Sequence, residues 1–130
     1  TRAPLIISAP GMKAAGKKTG ALAEFVDIYP TLCELAKLPL PDHLEGVSLA
    51  PLLDDPGLPW KKAAFSQYPR PGVMGYTMRT DHHRFTLWQQ NKAPQAVQAV
   101  ELYDHRSDPA ENVNVAGRPE NQELVKRLTG

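Results

Sequence analysis

The sequence has a single cysteine, no long hydrophobic run and no excess of charge of either sign. Cys33 has no second cysteine to pair with, so the chain cannot form an internal disulfide. No stretch approaches the roughly 18 consecutive apolar residues that a membrane-spanning helix needs. With 15 basic and 14 acidic residues, the formal net charge is +1, a balance that gives no electrostatic footprint for nucleic acid or an anionic membrane.

The motifs of common catalytic centres are also missing. The chain has no glycine-rich phosphate loop, no Gly-x-Ser-x-Gly elbow and no His-Glu-x-x-His motif. Cys33 is followed by Glu34, Leu35 and Ala36 within an amphipathic helical pattern. That setting predicts a small buried side chain, because a reactive thiolate needs a cationic and partly open environment. We therefore predict no catalytic residue in this chain.

The histidines do not form a metal-binding pattern. Zinc ligands recur at short, regular spacings, whereas His43 and His105 each stand alone. His82 and His83 are adjacent, and adjacent side chains of an extended segment point in opposite directions. We therefore predict no metal site made by this chain alone.

Proline is abundant, with 13 in 130 residues, and it favours short elements joined by defined turns. Residues 1–57 have the pattern expected at the end of an α/β domain. The apolar segment 4–8 predicts a strand buried on both faces, although nothing adjacent supplies its neighbours. Asp27 is the predicted N-cap of a helix that Pro39 stops. Ser48 is predicted to cap a second short helix, 49–53.

The first predicted helix carries an apolar stripe at spacings of four and three residues. We expect this stripe to be its buried face, and its members are Ile28, Leu32, Leu35 and Leu38.

Residues 58–130 predict a small four-stranded antiparallel sheet with one covering C-terminal helix. The strands are predicted at 63–68, 75–80, 84–89 and 100–104. Asp81-His82-His83 suits a tight hairpin, residues 91–98 read as a loop, and Pro119 opens the final helix. The fold class is thus α/β, or more narrowly an α+β fragment.

The segment Ser66-Gln67-Tyr68-Pro69-Arg70-Pro71 brings a hydroxyl, an amide, a phenol and a guanidinium together at the end of a strand. Arginine binds sulfate or carboxylate through a forked pair of hydrogen bonds, so the cluster can recognise an anionic ligand. The alternative is that Tyr68 packs and Arg70 braces a neighbouring acidic side chain. The residues alone favour neither interpretation over the other.

Eight segments, taken in order, resemble the C-terminal portion of sulfatases. Residues 3–11, 25–36 and 44–53 are similar to segments general to that family, beginning with the last core strand of its catalytic domain. Segments 66–71, 74–80 and 84–88 are similar to iduronate-2-sulfatases in particular. Segments 101–104 and 108–112 follow in the same order as in the C-terminal subdomain of the family.

The resemblance implies an alkaline-phosphatase-like fold and the hydrolysis of sulfate esters, including those of glycosaminoglycans. Residues 1–57 would end the catalytic α/β domain, and residues 58–130 would form the C-terminal subdomain. Family members convert the cysteine of a motif such as Cys-x-Pro-x-Arg into formylglycine and bind calcium. This chain lacks the motif, so we expect both groups in a preceding N-terminal catalytic domain, which is the expected partner of the chain.

The resemblance also carries expectations for the substrate site and for the compartment. It predicts Gln67, Tyr68 and Arg70 as substrate-binding residues beside a sulfated sugar, with Arg70 also holding the loop to an acid of the larger domain. It points to the bacterial periplasm or the lysosome, while the residues leave localisation open. Because the chain begins at Thr1 rather than Met, we interpret it as a processed or partial sequence.

Two other functions stay open at this point. One is a stand-alone, non-catalytic module that binds a partner protein or a glycan. The other is the C-terminal part of a related phosphoesterase of the same superfamily.

Overall fold

A computed structural model describes residues 3–129, except for the side chains of residues 94 and 95. The chain divides into two compact units, with the boundary between Lys61 and Lys62. The assignment of residues 1–57 to a catalytic domain remains a prediction. No helix of the described residues is long and apolar enough to cross a membrane.

The first unit is built around helix α1, Ile28–Leu35, which a short 3-10 turn, Phe25–Asp27, precedes. Asp27 directly precedes α1 and is its N-cap, as predicted, although its side chain makes no capping hydrogen bond to α1. The carboxylate of Asp27 reaches back and accepts the backbone N–H of Glu24 at 2.8 Å, so helical structure starts at the residue after Glu24. The helix also ends before Pro39, in a turn where Lys37 has a positive φ of 56°.

The strand predicted at residues 4–8 does not form, and within residues 3–61 the structure describes no strand at all. Ile6 in this segment is 91% exposed. A strand is stabilised by hydrogen bonds to a neighbouring strand, and the first unit supplies none. The prediction of a strand here was wrong for the chain by itself.

The buried side of α1 is the opposite of the predicted one. Its buried residues are Pro30, Thr31 and Cys33, with Cys33 only 6% exposed. The apolar stripe instead faces outward, since Leu32 is 59% exposed and Leu38 equally so. Burial of Cys33 is thus confirmed, and burial of the stripe within the chain was wrong.

The second short helix is a 3-10 helix, Ala50–Leu53. Its N-cap is Leu49 rather than the predicted Ser48, and the Ser48 hydroxyl, one residue earlier, accepts the Ala50 N–H at 3.2 Å. Leu49 and Leu52 are buried at 4% and 7% exposure and form the small core of this unit.

The second unit is a four-stranded antiparallel meander in the order β1-β2-β3-β4, which confirms the predicted sheet. The strands are β1 Ala64–Arg70, β2 Val73–Arg79, β3 His83–Gln90 and β4 Ala93–Asp104. A 3-10 turn, Pro119–Asn121, leads into helix α2, Gln122–Thr129, which packs against β3. The core holds Phe85 and Leu102, at 3% and 0% exposure.

Two strands extend further than predicted, and each of the added segments contains a proline. The segment Pro69-Arg70 was predicted to break β1, and residues 91–98 were predicted to be a loop. Residues 69–70 and 93–98 instead lie within strands, while 91 and 92 form a turn. β1 and β4 are the outer strands of the sheet. Proline is tolerated on an outer strand because its missing N–H removes no hydrogen bond to a neighbour.

Candidate functional site

The strand pairing places the predicted site residues on two different faces of the sheet. Successive side chains of a strand alternate between faces, so Tyr68 and Arg70 share one face while Gln67 lies on the other. Gln67 pairs with Tyr76 and lies on the face that includes the exposed Phe65. The structure therefore brings Tyr68 and Arg70 together and separates Gln67 from them.

On the face with Tyr68, a line of paired residues crosses the sheet. Tyr68 pairs with Gly75 of β2, and Gly75 pairs with Trp88 of β3. The Arg70 guanidinium carbon lies 4.4 Å from the centroid of the Trp88 ring and 5.7 Å from that of Tyr68. Both distances are within the range of cation–π attraction, so Arg70 is stacked on an aromatic platform that Tyr68 and Trp88 form.

Trp88 owes its position to two neighbours. A Cβ atom at Gly75 would lie 2.9 Å from the Trp88 ring, so the indole lies against β2 only because residue 75 has no side chain. The indole Nε1–H donates to Glu101 Oε1 at 2.9 Å. Trp88 is 9% exposed, and its orientation is fixed both by contact with the backbone and by a charge-assisted hydrogen bond.

The same face continues into a polar cluster around Glu111. Arg84 donates to both carboxylate oxygens of Glu111, at 2.8 Å and 2.6 Å, and its guanidinium stacks 4.7 Å from the Tyr103 ring. The His105 Nε2 atom lies 2.6 Å from Glu111 Oε1. The hydrogen bonds from Arg84 outweigh burial and, with His105, lower the pKa of Glu111 from its ordinary 4.5 to about 2.

The first unit holds a second charged cluster, which ties its segments together. Asp27 is fully buried and accepts the Val47 N–H at 2.9 Å and the Lys61 ammonium at 2.6 Å. Lys61 also donates to Glu24 at 2.6 Å. Burial acts to lower the pKa of Lys61, but the hydrogen bonds to Asp27 and Glu24 outweigh it and raise this pKa. Since Glu24, Val47 and Lys61 all lie within the first unit, this cluster stabilises the fold of that unit.

No metal centre is placed by the residues that the structure describes. Among residues 3–129, no group of three or more His, Cys, Asp or Glu side chains is positioned to hold an ion. Cys33 is buried in α1.

Sequence reasoning missed Trp88, which lies against Arg70, and also Gly75 and Glu101, which contact Trp88. The signal that could have found them is the register. Once the hairpin turns are fixed at Pro71-Gly72 and between β2 and β3, counting along the strands places Trp88 opposite Gly75 and Gly75 opposite Tyr68.

The sheet with its helix and the preceding helical unit are those of a known class of protein. A family model described as N-sulphoglucosamine sulphohydrolase, C-terminal, matches residues 1–130. The chain therefore belongs to this sulfatase C-terminal family, and the resemblance to sulfatases is confirmed.

Individual relatives agree with the family assignment. N-acetylglucosamine-6-O-sulfatase of Bacteroides thetaiotaomicron is 30% identical over 98% of this chain and 23% of its own length. Iduronate 2-sulfatase of Mus musculus is 31% identical over 88% of this chain and 28% of its own length. The chain thus spans about a quarter of the curated relatives that it matches.

A solved structure shares the fold. That protein, described as a complex with its substrate D-glucosamine-2-N,6-O-disulfate, has a TM-score of 0.72 and 31% identity, over 88% of this chain and 24% of that chain. The α/β fold class, with its antiparallel sheet and C-terminal helix, is therefore confirmed.

Proposed function

We propose that this chain acts as the C-terminal part of a sulfatase that hydrolyses sulfate esters of sulfated sugars. The observation that carries the proposal is the uncovered apolar stripe of α1 in a chain of this family. Leu32 and Leu38 are each 59% exposed, and the nearby Phe25 is 80% exposed. A row of exposed large apolar side chains marks an interaction surface.

The occupant of that surface is the catalytic domain of the same sulfatase. The chain corresponds to only 23% and 28% of the length of the two relatives named above, so most of such an enzyme lies outside residues 1–130. Covering the stripe would remove its apolar area from water, at about 25 cal/mol per Å². The partner of the first unit is therefore a part of the same enzyme rather than a separate protein.

The chemistry belongs to that larger part. Formylglycine would supply the nucleophile, and calcium would stabilise the developing negative charge on the sulfate. The described residues contribute no such group, since Cys33 is buried and no metal cluster is formed among residues 3–129. The role of this chain is to complete the fold and to border the substrate.

Two residues of this chain, Tyr68 and Arg70, would form the border of the substrate-binding cleft. Arg70 is exposed at the end of β1 and carries a positive charge on an aromatic platform, which suits a sulfated or uronic sugar. Sulfated sugars are also the substrates named for the relatives, a hexosamine sulfate for one and an iduronate sulfate for another. Gln67 lies on the opposite face, so its role in the border requires a sugar or a loop of the catalytic domain to reach that face.

The test is sulfate release by the complete polypeptide that contains residues 1–130. Ion chromatography would follow free sulfate from a panel that holds sulfated glucosamine, a 2-sulfated uronate disaccharide and a matched phosphate monoester. We expect release from at least one sulfated sugar. Faster hydrolysis of the phosphate ester would favour the phosphoesterase, and binding without any hydrolysis would favour the glycan-binding module.

A further inference from the structure

We propose that Trp88 is a positioning residue, which presents the guanidinium of Arg70 to an oxyanion, either a sulfate or a carboxylate group. The inference rests on the proposed function, because it concerns the same border residues. It adds three residues that the sequence did not single out: Trp88, Gly75 and Glu101.

The first step of the argument is the geometry of the stack. A guanidinium that lies over a ring uses its face for the contact, and its N–H groups point outward in its own plane. With its carbon 4.4 Å from the Trp88 centroid, Arg70 therefore keeps its hydrogen-bond donors available for an anion. A flexible arginine loses side-chain entropy when it binds an anion. Because contact with Trp88 already restricts Arg70, this entropy cost of binding is smaller.

The second step is the contrast with two other arginines of this unit. Arg84 and Arg106 each donate to a carboxylate, at 2.6 Å to Glu111 and at 2.7 Å to Asp104. Among the described residues, no acidic side chain forms an ion pair with Arg70. The charge of Arg70 is thus the one on this platform that is not already neutralised within residues 3–129.

The third step is the support beneath the stack. Trp88 cannot lie against β2 unless residue 75 is glycine, since an added Cβ would be 2.9 Å from the ring. Glu101 accepts the indole N–H at 2.9 Å and stops the ring from turning about its long axis. These two residues hold Trp88, and Trp88 in turn holds Arg70.

The oxyanion has two possible sources with the same chemistry. It is either a charged group of the sugar substrate or a carboxylate of the catalytic domain. In both cases Trp88 acts only through Arg70, so the effects of losing the two residues should not add.

The experiment is a double-mutant cycle on the complete polypeptide. Arg70→Ala, Trp88→Leu and the double variant would be compared by KM and kcat for a sulfated heparin disaccharide, and by Tm. If the substrate supplies the oxyanion, each single change raises KM about tenfold with kcat unchanged, and the double variant is no worse. If the catalytic domain supplies it, KM stays constant and both single changes lower Tm without adding.

Conservative variants separate positioning from general damage. Glu101→Gln keeps an acceptor for the indole and should retain the wild-type KM or Tm, whereas Glu101→Leu and Gly75→Ala should reproduce the Trp88→Leu effect. Arg106→Ala removes the same charge from an exposed arginine that lacks the platform, and it serves as the matched control.

Three results would overturn the proposal. One is a double variant in which the effects of Arg70→Ala and Trp88→Leu combine in full, both in KM and in Tm. The second is a Trp88→Leu variant that matches wild type while Arg70→Ala does not, and the third is no effect of either change on KM or Tm. If the wild type releases no sulfate, the sulfatase proposal fails, and the Tm cycle alone then decides whether Trp88 positions Arg70.

Discussion

Among single residues, Asp27 and Lys61 form the most enclosed charge pair described above. Asp27 has no exposed surface, and the Lys61 side chain is 19% exposed. Removing one partner of a buried pair leaves the other charge without compensation, which costs more than the pair contributes. We expect Lys61→Met to lower the free energy of unfolding by about 3 kcal/mol, measured by urea unfolding.

The neighbouring Lys62 is exposed and offers a control at the same charge. Lys62→Met should change the free energy of unfolding by less than about 0.5 kcal/mol. The double variant Asp27→Asn with Lys61→Met should lose less than the two single changes combined. Equal effects of Lys61→Met and Lys62→Met would show that the buried pair is not stabilising.

Glu111 gives the second unit a pH dependence in acid. Its pKa is lowered from 4.5 to about 2 in the folded state. A lowered carboxyl pKa contributes stability that is present above the unfolded value and is lost as pH falls through the folded value. We therefore expect the stability difference between wild type and Glu111→Gln to be largest above pH 4.5 and to shrink towards pH 2.

Urea unfolding midpoints at a series of pH values would measure this difference. Glu123→Gln removes an exposed carboxylate from the first turn of α2 and serves as the comparison. A wild-type advantage over Glu111→Gln that stays constant down to pH 2 would contradict the assigned role of Arg84 and His105.

The sequence predicted some of these residues and not others. Cys33 was correctly placed in the interior, because a free cysteine without cationic neighbours usually behaves as a small buried side chain. The partners of Asp27 were not predictable, since Val47 and Lys61 are 20 and 34 residues away along the chain. Hydrogen bonds over such separations depend on how loops fold back, which no local pattern specifies.

At the scale of elements, the outer edge of β4 is covered by the loop that holds Asn114 and Val115 rather than by a strand. Asn114 accepts the Leu102 N–H at 3.0 Å and donates to the Val100 carbonyl at 3.1 Å. The side chain thus satisfies backbone groups that an open edge would leave available for pairing with another chain. Asn114→Ala should lower stability by about 1–2 kcal/mol, measured by urea unfolding.

Asn112 is a matched control for this change. Its side chain donates to Asp108 Oδ1 in the same loop at 2.9 Å and bridges no strand. Asn112→Ala is expected to have a smaller effect than Asn114→Ala. The reverse order would indicate that the edge is protected in another way.

The elements of the sheet were predictable in number and order, but their limits were not. Alternating apolar patterns and turn residues indicated four strands and the final helix. Pro69 was interpreted as a strand break, because proline usually ends a strand, and residues 91–98 were interpreted as a loop. Whether a strand lies at the edge of a sheet is a tertiary property, so the tolerance of proline there could not be deduced from local sequence.

For α1, the amphipathic pattern was real and its interpretation was wrong. Spacing identifies an apolar face, but it does not tell which body will cover that face. In this chain the face with Leu32 is exposed and the face with Thr31 is buried, where Thr31 accepts the Leu49 N–H at 2.8 Å. The error is informative, since it reveals a surface that the described residues, 3–129, leave uncovered.

For the whole molecule, we expect the isolated chain to associate in solution. Exposed apolar side chains at Phe25, Leu32 and Leu38 favour contact between copies. Size-exclusion chromatography should show species larger than a monomer, and Leu32→Glu should shift the profile towards the monomer. A concentration-independent monomer for the unmodified chain would count against an exposed docking surface.

The most direct test is whether the rest of a sulfatase covers α1. Hydroxyl-radical footprinting of the complete polypeptide would report the oxidation of Phe25 and Leu32, which are 80% and 59% exposed in the chain by itself. We predict strong protection of both, while an outward residue such as Tyr68, at 56% exposure, remains reactive unless substrate is added. Oxidation of Phe25 and Leu32 at rates that match their exposure in this chain would contradict the view that residues 1–130 complete a larger enzyme through this surface.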